Sequence, residues 1–416
     1  MGKKRNKDQN IIVGLDIGTT KICAVVAEED KDGKQRVIGI GTSPSNGLRK
    51  GIVVNIESTV ESITRAIEAA EEMSSIEICS VFAGIAGSHI KSFNSSGVIP
   101  IAHDDGEINK EDMHRAIEAA KAISIPLDRE VIHVIPQEYT VDGQEGIKDP
   151  LGMYGVKLEA NVHVVTAAVT SAQNVIKCIT TAGFEVEDIV LEPLASSIAT
   201  LTKDEKESGV ILIDIGGGTT DFVVFTEGVI RYADVLGVGG INVTNDISVG
   251  LKIPIAKAEE TKKRFGCAFL PSVDDSEEFM VPGVVGRKSD SMRRRDLAEI
   301  VQMRMEEIFV ILKKEIKKSG YSDKIGAGIV LTGGASLLSG SIELAQNVFN
   351  VPVRIGRPKN MTGLVEVLDS PIYATGVGLA QYGFSYRVQN KDMDFRGRNI
   401  FSKVFRRMKD WYSEYF

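Results

Sequence analysis

The sequence predicts an α/β fold of two similar halves that face one cleft. Two copies of one motif carry the prediction, and a third strand-into-glycine stretch supports it. Residues 210–221 read Val-Ile-Leu-Ile-Asp-Ile-Gly-Gly-Gly-Thr-Thr-Asp. The aliphatic run 210–213 reads as a buried strand that Asp214 ends. Three glycines follow, free to take positive φ in a sharp turn. Such a turn lines up backbone N–H groups into an anion-binding concavity, and the threonine hydroxyls add donors. Asp221 opens a second apolar run, 222–225, so the unit is strand, turn, strand. It is not the strand-to-helix phosphate loop, because Gly-x-x-x-x-Gly-Lys-Ser/Thr is absent.

Residues 11–21, Ile-Ile-Val-Gly-Leu-Asp-Ile-Gly-Thr-Thr-Lys, repeat the device around Asp16. One such turn would be an ordinary hairpin. Two, each closing an apolar strand and each followed by Thr-Thr, argue for a duplicated design. Each half then gives one aspartate and one donor-lined turn to a shared cleft. Opposed carboxylates suit a hydrated Mg²⁺, which prefers carboxylates, water and substrate phosphates.

Composition bounds the alternatives. At 416 residues, 43% apolar and 25% charged, the chain is a soluble globular protein with room for more than one core. A net charge of −8 argues against wholesale nucleic-acid binding. Cys23, Cys79, Cys178 and Cys267 are scattered without a Cys-x-x-Cys pair, which points to a reducing compartment rather than zinc or disulfides. The histidines all fall between His89 and His163 without metal-ligand spacing and read as structural or surface residues. No 18-residue apolar run exists. The basic start is not followed by a signal-peptide core, because Asp16 cuts the apolar run, and Asn6 leaves the myristoylation pattern incomplete. The expectation is a cytosolic chain.

Residues 11–41 alternate around Gly and Asp-Gly turns, a meander of antiparallel strands. A stripe at Val60, Ile63, Ile67 and Ala70 marks a helix over 53–74. Residues 76–86 form a strand. From 88 to 164 the segments shorten into a small inserted β/α module, with a helix at 110–123 and strands at 129–141 and 156–169. A helix at 171–182 capped by Ser171, a strand at 186–191 and a helix opened by Glu192-Pro193 follow. Residues 223–238 form a hairpin-like pair, and Gly239-Gly240 begins a helix to 249.

Residues 251–320 form a second small module. It holds a basic helix at 255–265, a strand pair within 277–286, the run Arg293-Arg294-Arg295, and a long helix with Leu297, Val301, Met305, Ile308, Leu312 and Ile316 on one face. The third strand-into-glycine stretch, 328–336, is expected to lead into a helix; its flat glycine surface would let a ring system lie on backbone. A last helix at 373–382 is interrupted by Gly376 and Gly378, and the polar 385–398 reads as a linker. In the tail, Ile400, Phe401, Val404, Phe405, Met408, Trp411, Tyr412, Tyr415 and Phe416 fall on one helical face, with Lys403, Arg406, Arg407 and Lys409 off it. Aromatics on one face and cations on the other suit an interfacial membrane helix.

The set Asp16-Ile-Gly-Thr-Thr, Asp214-Ile-Gly-Gly-Gly-Thr, Thr332-Gly-Gly-Ala-Ser and Glu192-Pro-Leu-Ala-Ser resembles the ATP-binding superfamily of actin, Hsp70 and the sugar kinases. Within it, His133-Val-Ile-Pro-Gln-Glu-Tyr, Gln144-Glu-Gly-Ile-Lys, Gly328-Ile-Val-Leu-Thr-Gly-Gly-Ala and the amphipathic C-terminus resemble the FtsA family of bacterial cell-division proteins. The resemblance runs from about residue 11 to 383, plus the tail.

It implies an actin-like two-domain α/β fold with two RNase-H-like cores. Subdomain 1A would take 11–87, 165–205 and 363–384, and the inserted 1C module 88–164. Subdomain 2A would take 206–250 and 321–362, and 2B 251–320. A linker at 385–398 would lead to a membrane-targeting helix at 399–416.

The resemblance also implies ATP and Mg²⁺, with Asp16 and Asp214 facing the metal through water. Gly18, Thr19, Thr20 and Lys21 would meet one side of the phosphates, and Gly216, Gly217, Gly218 and Thr219 the other. Gly333, Gly334 and Ala335 would lie by the nucleoside, and Glu192 at the place of a water-orienting residue. Hydrolysis is then chemically possible, slow and secondary to assembly.

In the family picture the protein is peripheral, on the cytoplasmic face of the inner membrane at the division site. It polymerises into protofilaments, tethers FtsZ by its C-terminal tail and recruits later division proteins. Arg293, Arg294, Arg295 and Arg304 are the expected contacts for that partly acidic tail. Phe401, Phe405, Arg406, Arg407, Trp411 and Phe416 are those for anionic lipid. The competing readings are a soluble actin-fold small-molecule kinase and a chaperone-type ATPase. A chaperone needs a substrate domain after its core, and a kinase has little use for an interfacial helix, so the tail discriminates.

Overall fold

Every residue of the strand Ile11–Ile17 is buried, and it forms the centre of the first sheet. Lys21–Glu29 pairs antiparallel with it, and Gln35–Pro44 antiparallel with that in turn. On its other side Ser80–Ile85 runs parallel, followed by parallel Glu185–Leu191. The computed structural model describes residues 4–5, 10–103, 105–122, 125–281 and 290–390. Helices Ile56–Ser74 and Val169–Thr181 cover one face of this sheet, and Glu192–Thr200 and Ala374–Asn390 the other. A sheet covered on both faces reads as near-continuous apolar runs, which is why Ile11–Ile17 shows almost no alternation.

The second half repeats the plan. Val210–Ile215 is its centre, with Thr220–Thr226 and then Val229–Leu236 antiparallel on one side. Gly328–Thr332 and Val353–Ile355 run parallel on the other. Five strands of each sheet thus share one order, third-second-first-fourth-fifth, the arrangement of an RNase-H-like core, and the first sheet adds Thr362–Gly363 parallel to Gln35–Pro44 at its edge. Leu297, Val301, Met305, Ile308, Leu312 and Ile316 of the long helix Arg294–Lys318 are all buried with Ile211, Ile213 and Phe222. Each such side chain stabilises the half by about 1.5–3 kcal/mol.

Two smaller units complete the chain. Strands Gln144–Ile147, Arg129–Val141, Lys157–Ala168 and Lys91–Pro100 form a four-stranded antiparallel sheet under the helix Lys110–Lys121, with its own core around Tyr139, Leu158 and Ile117. In the second half, helix Ile255–Phe265 and the hairpin of Glu278–Val281 with Asp290–Arg293 pack beside the start of Arg294–Lys318.

Several boundaries differ from the sequence reading. The helix expected from 53 begins at Ile56, because the Asn55 side chain accepts Ser58 N–H at 2.9 Å while Ile52–Val53 pairs with Leu48–Arg49. The 76–86 strand is two, Ile76–Glu77 and Ser80–Ile85. Ser171 is not a cap: its helix starts at Val169, and the cap position Ala168 makes no side-chain bond. The partner of Glu278–Val281 is Asp290–Arg293, beyond the predicted 277–286. A 3-10 turn, Gly334–Leu337, follows Gly333 before the helix Ser341–Phe349.

Gly376 and Gly378 do not interrupt the last helix, which runs unbroken over Ala374–Asn390. Gly378 lets it lie directly on backbone, since a Cβ there would stand 1.8 Å from Ala195 O, and Gly376 makes room for the Val25 side chain, which a Cβ would meet at 2.7 Å. Residues 385–390, expected as linker, are that helix's end, held where Tyr386 meets the Phe82 ring at 5.4 Å and Arg387 Nη1 donates to Ile11 O at 2.8 Å. The rest of the predicted linker and the tail 399–416, with Phe401, Phe405, Arg406, Arg407, Trp411 and Phe416, lie outside the described residues.

Candidate functional site

The two duplicated turns meet. In the first, Gly18 N–H donates to Lys21 O at 3.1 Å; in the second, Gly216 N–H donates to Thr219 O at 3.0 Å. The second strand continues past Asp214 to Ile215. None of Gly216, Gly217 and Gly218 takes the positive φ expected from the sequence. They are needed for contact instead. A Cβ at Gly217 would lie 2.3 Å from Thr20 Cγ2, and one at Gly218 2.6 Å from Thr19 Oγ1. Thr19 Oγ1 in turn accepts Gly51 N–H at 3.0 Å.

Asp16 and Asp214 are each 8% exposed beside this junction. Ser196 Oγ donates to Asp214 Oδ2 at 2.7 Å, and Thr375 Oγ1 lies 3.4 Å from the same oxygen. Gly333, at φ +82, makes room for Asp214, since a Cβ there would stand 2.2 Å from Oδ1. Lys21 Nζ is 3.9 Å from Asp16 Oδ2, donates to Ile372 O at 2.8 Å and lies over the Tyr373 ring. Asp221 is buried. Thr219 Oγ1 donates to its Oδ2 at 3.1 Å, and its Oδ1 has no partner. Glu192 opens the helix Glu192–Thr200 and faces the bare Cα of Gly84.

These carboxylates share one low-dielectric space. Burial, partly offset by Lys21 and reinforced by Asp214, pushes Asp16 up to about 6. Burial and then the charges of Asp16, Asp221 and Asp214 push Glu192 well above the usual range. Burial and then Asp214 do the same to Asp221. Burial raises Asp214 too, against the hydrogen bonds of Ser196 and Thr375. Four acids with the Lys21 ammonium beside them make a site that attracts positive charge. Among the described residues no three acidic, His or Cys side chains converge as direct ligands of one ion. The orphaned Asp221 Oδ1 and the acid excess therefore fit a divalent ion that keeps its waters, as Mg²⁺ does.

On the other flank, Gly334 faces open space, and a Cβ at Gly240 would meet Ala335 Cβ at 3.3 Å and Lys262 Nζ at 3.5 Å. Lys262 Nζ donates to Gly240 O at 3.0 Å and Thr244 Oγ1 at 2.9 Å and pairs with Glu259 at 2.7 Å. Gly240 and Ile241 N–H donate to Gly216 O and Gly217 O at 2.9 and 2.8 Å, seating this helix start on the second turn. Asp221, Ser196, Thr375, Glu259 and Lys262 were not among the sequence candidates. Asp221 and Ser196 were the legible ones, each the last residue of a quoted motif. The i,i+3 pair Glu259/Lys262 read only as part of a basic helix.

Arg293, Arg294 and Arg295 are consecutive at the start of the long helix, while Arg304 stands further along it, and none of the four is a free cation. Arg293 pairs with Asp296 at 2.8 Å and Arg294 with Glu277 at 2.6 Å, with Arg294 Nε also donating to Phe265 O. Arg295 pairs with Asp275, and Arg304 with Glu307 and, at 2.5 Å, with Asp246. Beside Arg294, a cavity of about 350 Å³ is lined by Arg264, Phe265, Phe279 and Met280 together with Glu260, Thr261 and Glu278.

Known proteins resemble this chain in sequence and fold. The family described as "Cell division protein FtsA" matches residues 211–378, "SHS2 domain inserted in FTSA" matches 87–166, and "Hsp70 protein" matches 168–234. The cell division protein FtsA of Pseudomonas aeruginosa is 49% identical over 406 residues, covering 96% of this chain and 97% of that protein. That of Escherichia coli K12 is 41% identical, covering 90% and 91%. A PilM-PilN type IV pilus biogenesis complex superposes with a TM-score of 0.65 at 17% identity, covering 90% of this chain and 98% of that one. MreB5 of Spiroplasma citri bound to ADP superposes with a TM-score of 0.55 at 14% identity, covering 92% and 98%. Such structural likeness speaks for the actin-like fold alone. The extent of sequence identity goes further: this chain belongs to the FtsA family of cell division proteins.

Proposed function

We propose that the chain binds ATP with Mg²⁺ between its two halves, polymerises on the inner face of the cytoplasmic membrane and tethers FtsZ there by its tail. The observation that carries the nucleotide reading is the pair of contacting turns with Asp16, Asp214, Asp221 and Glu192 crowded beside them. Turn amides and the Thr19, Thr20 and Thr219 hydroxyls would meet phosphate oxygens, and Lys21 would add charge. Gly333, Gly334 and Ala335 would border the nucleoside, with Lys262 and Glu259 opposite. Asp16 and Asp214 would hold the metal through its waters. Bound Mg²⁺ supplies neutralising charge to the terminal phosphates, the main requirement of phosphoryl transfer. Glu192 would orient a water, with hydrolysis slow and secondary to assembly. The ADP-bound Spiroplasma MreB5 supports a nucleotide in this fold.

The wider role rests on family membership and the amphipathic tail. Partner recruitment, the 1C, 2B and tail assignments, and contact of Arg293, Arg294, Arg295 and Arg304 with the FtsZ tail belong to the same reading. The test is calorimetric titration with ATP in MgCl₂. Wild type should bind and a folded Asp214→Ala variant should not; equal affinity in both would sink the metal assignment.

A further inference from the structure

The stretch His133-Val-Ile-Pro-Gln-Glu-Tyr is where the inserted module grips both halves at once. It lies on Arg129–Val141, whose pairing with Lys157–Ala168 is irregular twice, between Val131 and His133 and between Pro136 and Glu138. Bulges of this kind re-aim side chains.

Next to the first irregularity, His133 reaches the first half. Leu191 N–H donates to its Nε2 at 3.0 Å, and Leu191 directly precedes Glu192. Next to the second, Gln137 and Glu138 reach the second half. Gln137 Nε2 donates to Ile230 O at 2.7 Å, and Arg231 pairs with Glu138 at 3.3 Å. Ser92 Oγ and Asn94 Nδ2 of the neighbouring Lys91–Pro100 strand add bonds to Ala233 O at 2.6 Å and Arg231 O at 3.3 Å.

The acceptors belong to Val229–Leu236, the edge strand of the second sheet. Its open carbonyls are covered by insert side chains rather than by another strand. That strand leads through residues 237–239 into the helix whose first amides bond Gly216 O and Gly217 O. The insert's own chain, meanwhile, is anchored to the first half where Val169 N–H, at the start of a first-half helix, donates to Asp128 O at 3.0 Å, and Arg129 Nη2 ties the insert's exit to its entry by donating to His89 O at 2.9 Å. His133 and Gln137 are both buried, where a hydrogen bond is stronger and its loss costlier.

We propose that Arg129–Val141 is a strap that sets the seat of Glu192 according to the position of the second half. His133 and Gln137 are positioning residues. A rotation of the halves that shifts Ile230 and Arg231 pulls on Gln137 and Glu138, and the same strand carries the pull to His133 and the Leu191 amide. The meaning for Glu192 rests on the nucleotide-site reading; the mechanical link does not.

Hydrogen exchange of the full chain without nucleotide tests the link. His133→Leu should speed exchange at the Leu191 amide by about tenfold, and His133→Gln, which keeps an acceptor, should restore most of it. The deciding variant is Gln137→Leu, far from that amide, with Glu138→Gln as the milder form. Either should speed the Leu191 amide about threefold or more as well as loosening the insert. Leu191 exchange equal to wild type in both variants overturns the strap, whether or not the insert loosens. A second arm adds ATP and MgCl₂, which should change protection at Leu191 and in 91–100 together in wild type but separately in Gln137→Leu. If wild type binds no ATP, the nucleotide reading fails and the apo arm still decides the strap.

Discussion

Gly217 presents its bare Cα to the methyl of Thr20, so that a Cβ at 217 would lie 2.3 Å from Thr20 Cγ2. The contact joins the two duplicated turns, one from each half. Gly217→Ala must therefore part them. Overpacking of this kind costs about 1–3 kcal/mol, and most of it should appear in the site rather than the cores. The expected outcome is ATP affinity at least about tenfold weaker, with a thermal midpoint near wild type. Unchanged affinity by calorimetry would mean the turns do not close on phosphate.

Asp16 makes the apo protein sensitive to pH. Its pKa rises from 3.8 to about 6 on folding, so the folded state holds a proton that the unfolded state has lost. The associated stability is fully present below pH 3.8 and is lost as pH rises through about 6. Its full size is about 3 kcal/mol, and Glu192 and Asp221 act in the same direction. Asp16→Asn should flatten the fall in thermal midpoint between about pH 4.5 and about pH 7.5 measured without nucleotide. MgCl₂ with ATP should flatten it in wild type. An equally steep fall in Asp16→Asn would place the titration elsewhere.

The arginines are less available to an anion than the sequence suggests, because each cation has a carboxylate beside it. Exposed pairs of this type contribute only about 0–1 kcal/mol, so an acidic peptide can compete for them. Arg294→Glu with Arg304→Glu should weaken FtsZ-tail binding with steep salt dependence. The reversal at position 304 also sets a new carboxylate against Asp246 and Glu307, so Arg294→Gln with Arg304→Gln is the cleaner pair. Fluorescence anisotropy with the tail peptide reads both. Wild-type affinity in a folded double-Gln protein would move the site elsewhere in the module.

Four cations near an anionic leaflet contribute at most about 4 kcal/mol, and Asp410 and Glu414 subtract from it. On the membrane reading proposed above, the apolar residues Phe401, Phe405, Trp411 and Phe416 would have to supply the rest. One tail should bind moderately and a polymer of many tails far more tightly. Trp411→Glu or deletion of 399–416 should release the protein from anionic liposomes in flotation while ATP binding is kept. Continued flotation of the truncated chain would remove the tail's role.

What the sequence determined by itself was the repeated strand-turn-strand, most helices and strands, and the motif aspartates Asp16 and Asp214 that end up beside the two contacting turns. Those depend on neighbours a few positions apart: an aliphatic run, an aspartate at its end, a stripe at Leu297, Val301 and Met305. Tertiary structure decided everything that depends on a partner far along the chain. It set the reason for Gly217 and Gly218, which is Thr20 and Thr19 rather than backbone freedom. It turned residues 385–390 from linker into helix, because Phe82 and Ile11 wait for Tyr386 and Arg387. It neutralised Arg304 with Asp246, 58 residues away, and brought Ser196 and Thr375 to Asp214. Local pattern fixes which face of an element is apolar; the charge state and reach of a polar side chain depend on what the fold sets opposite it.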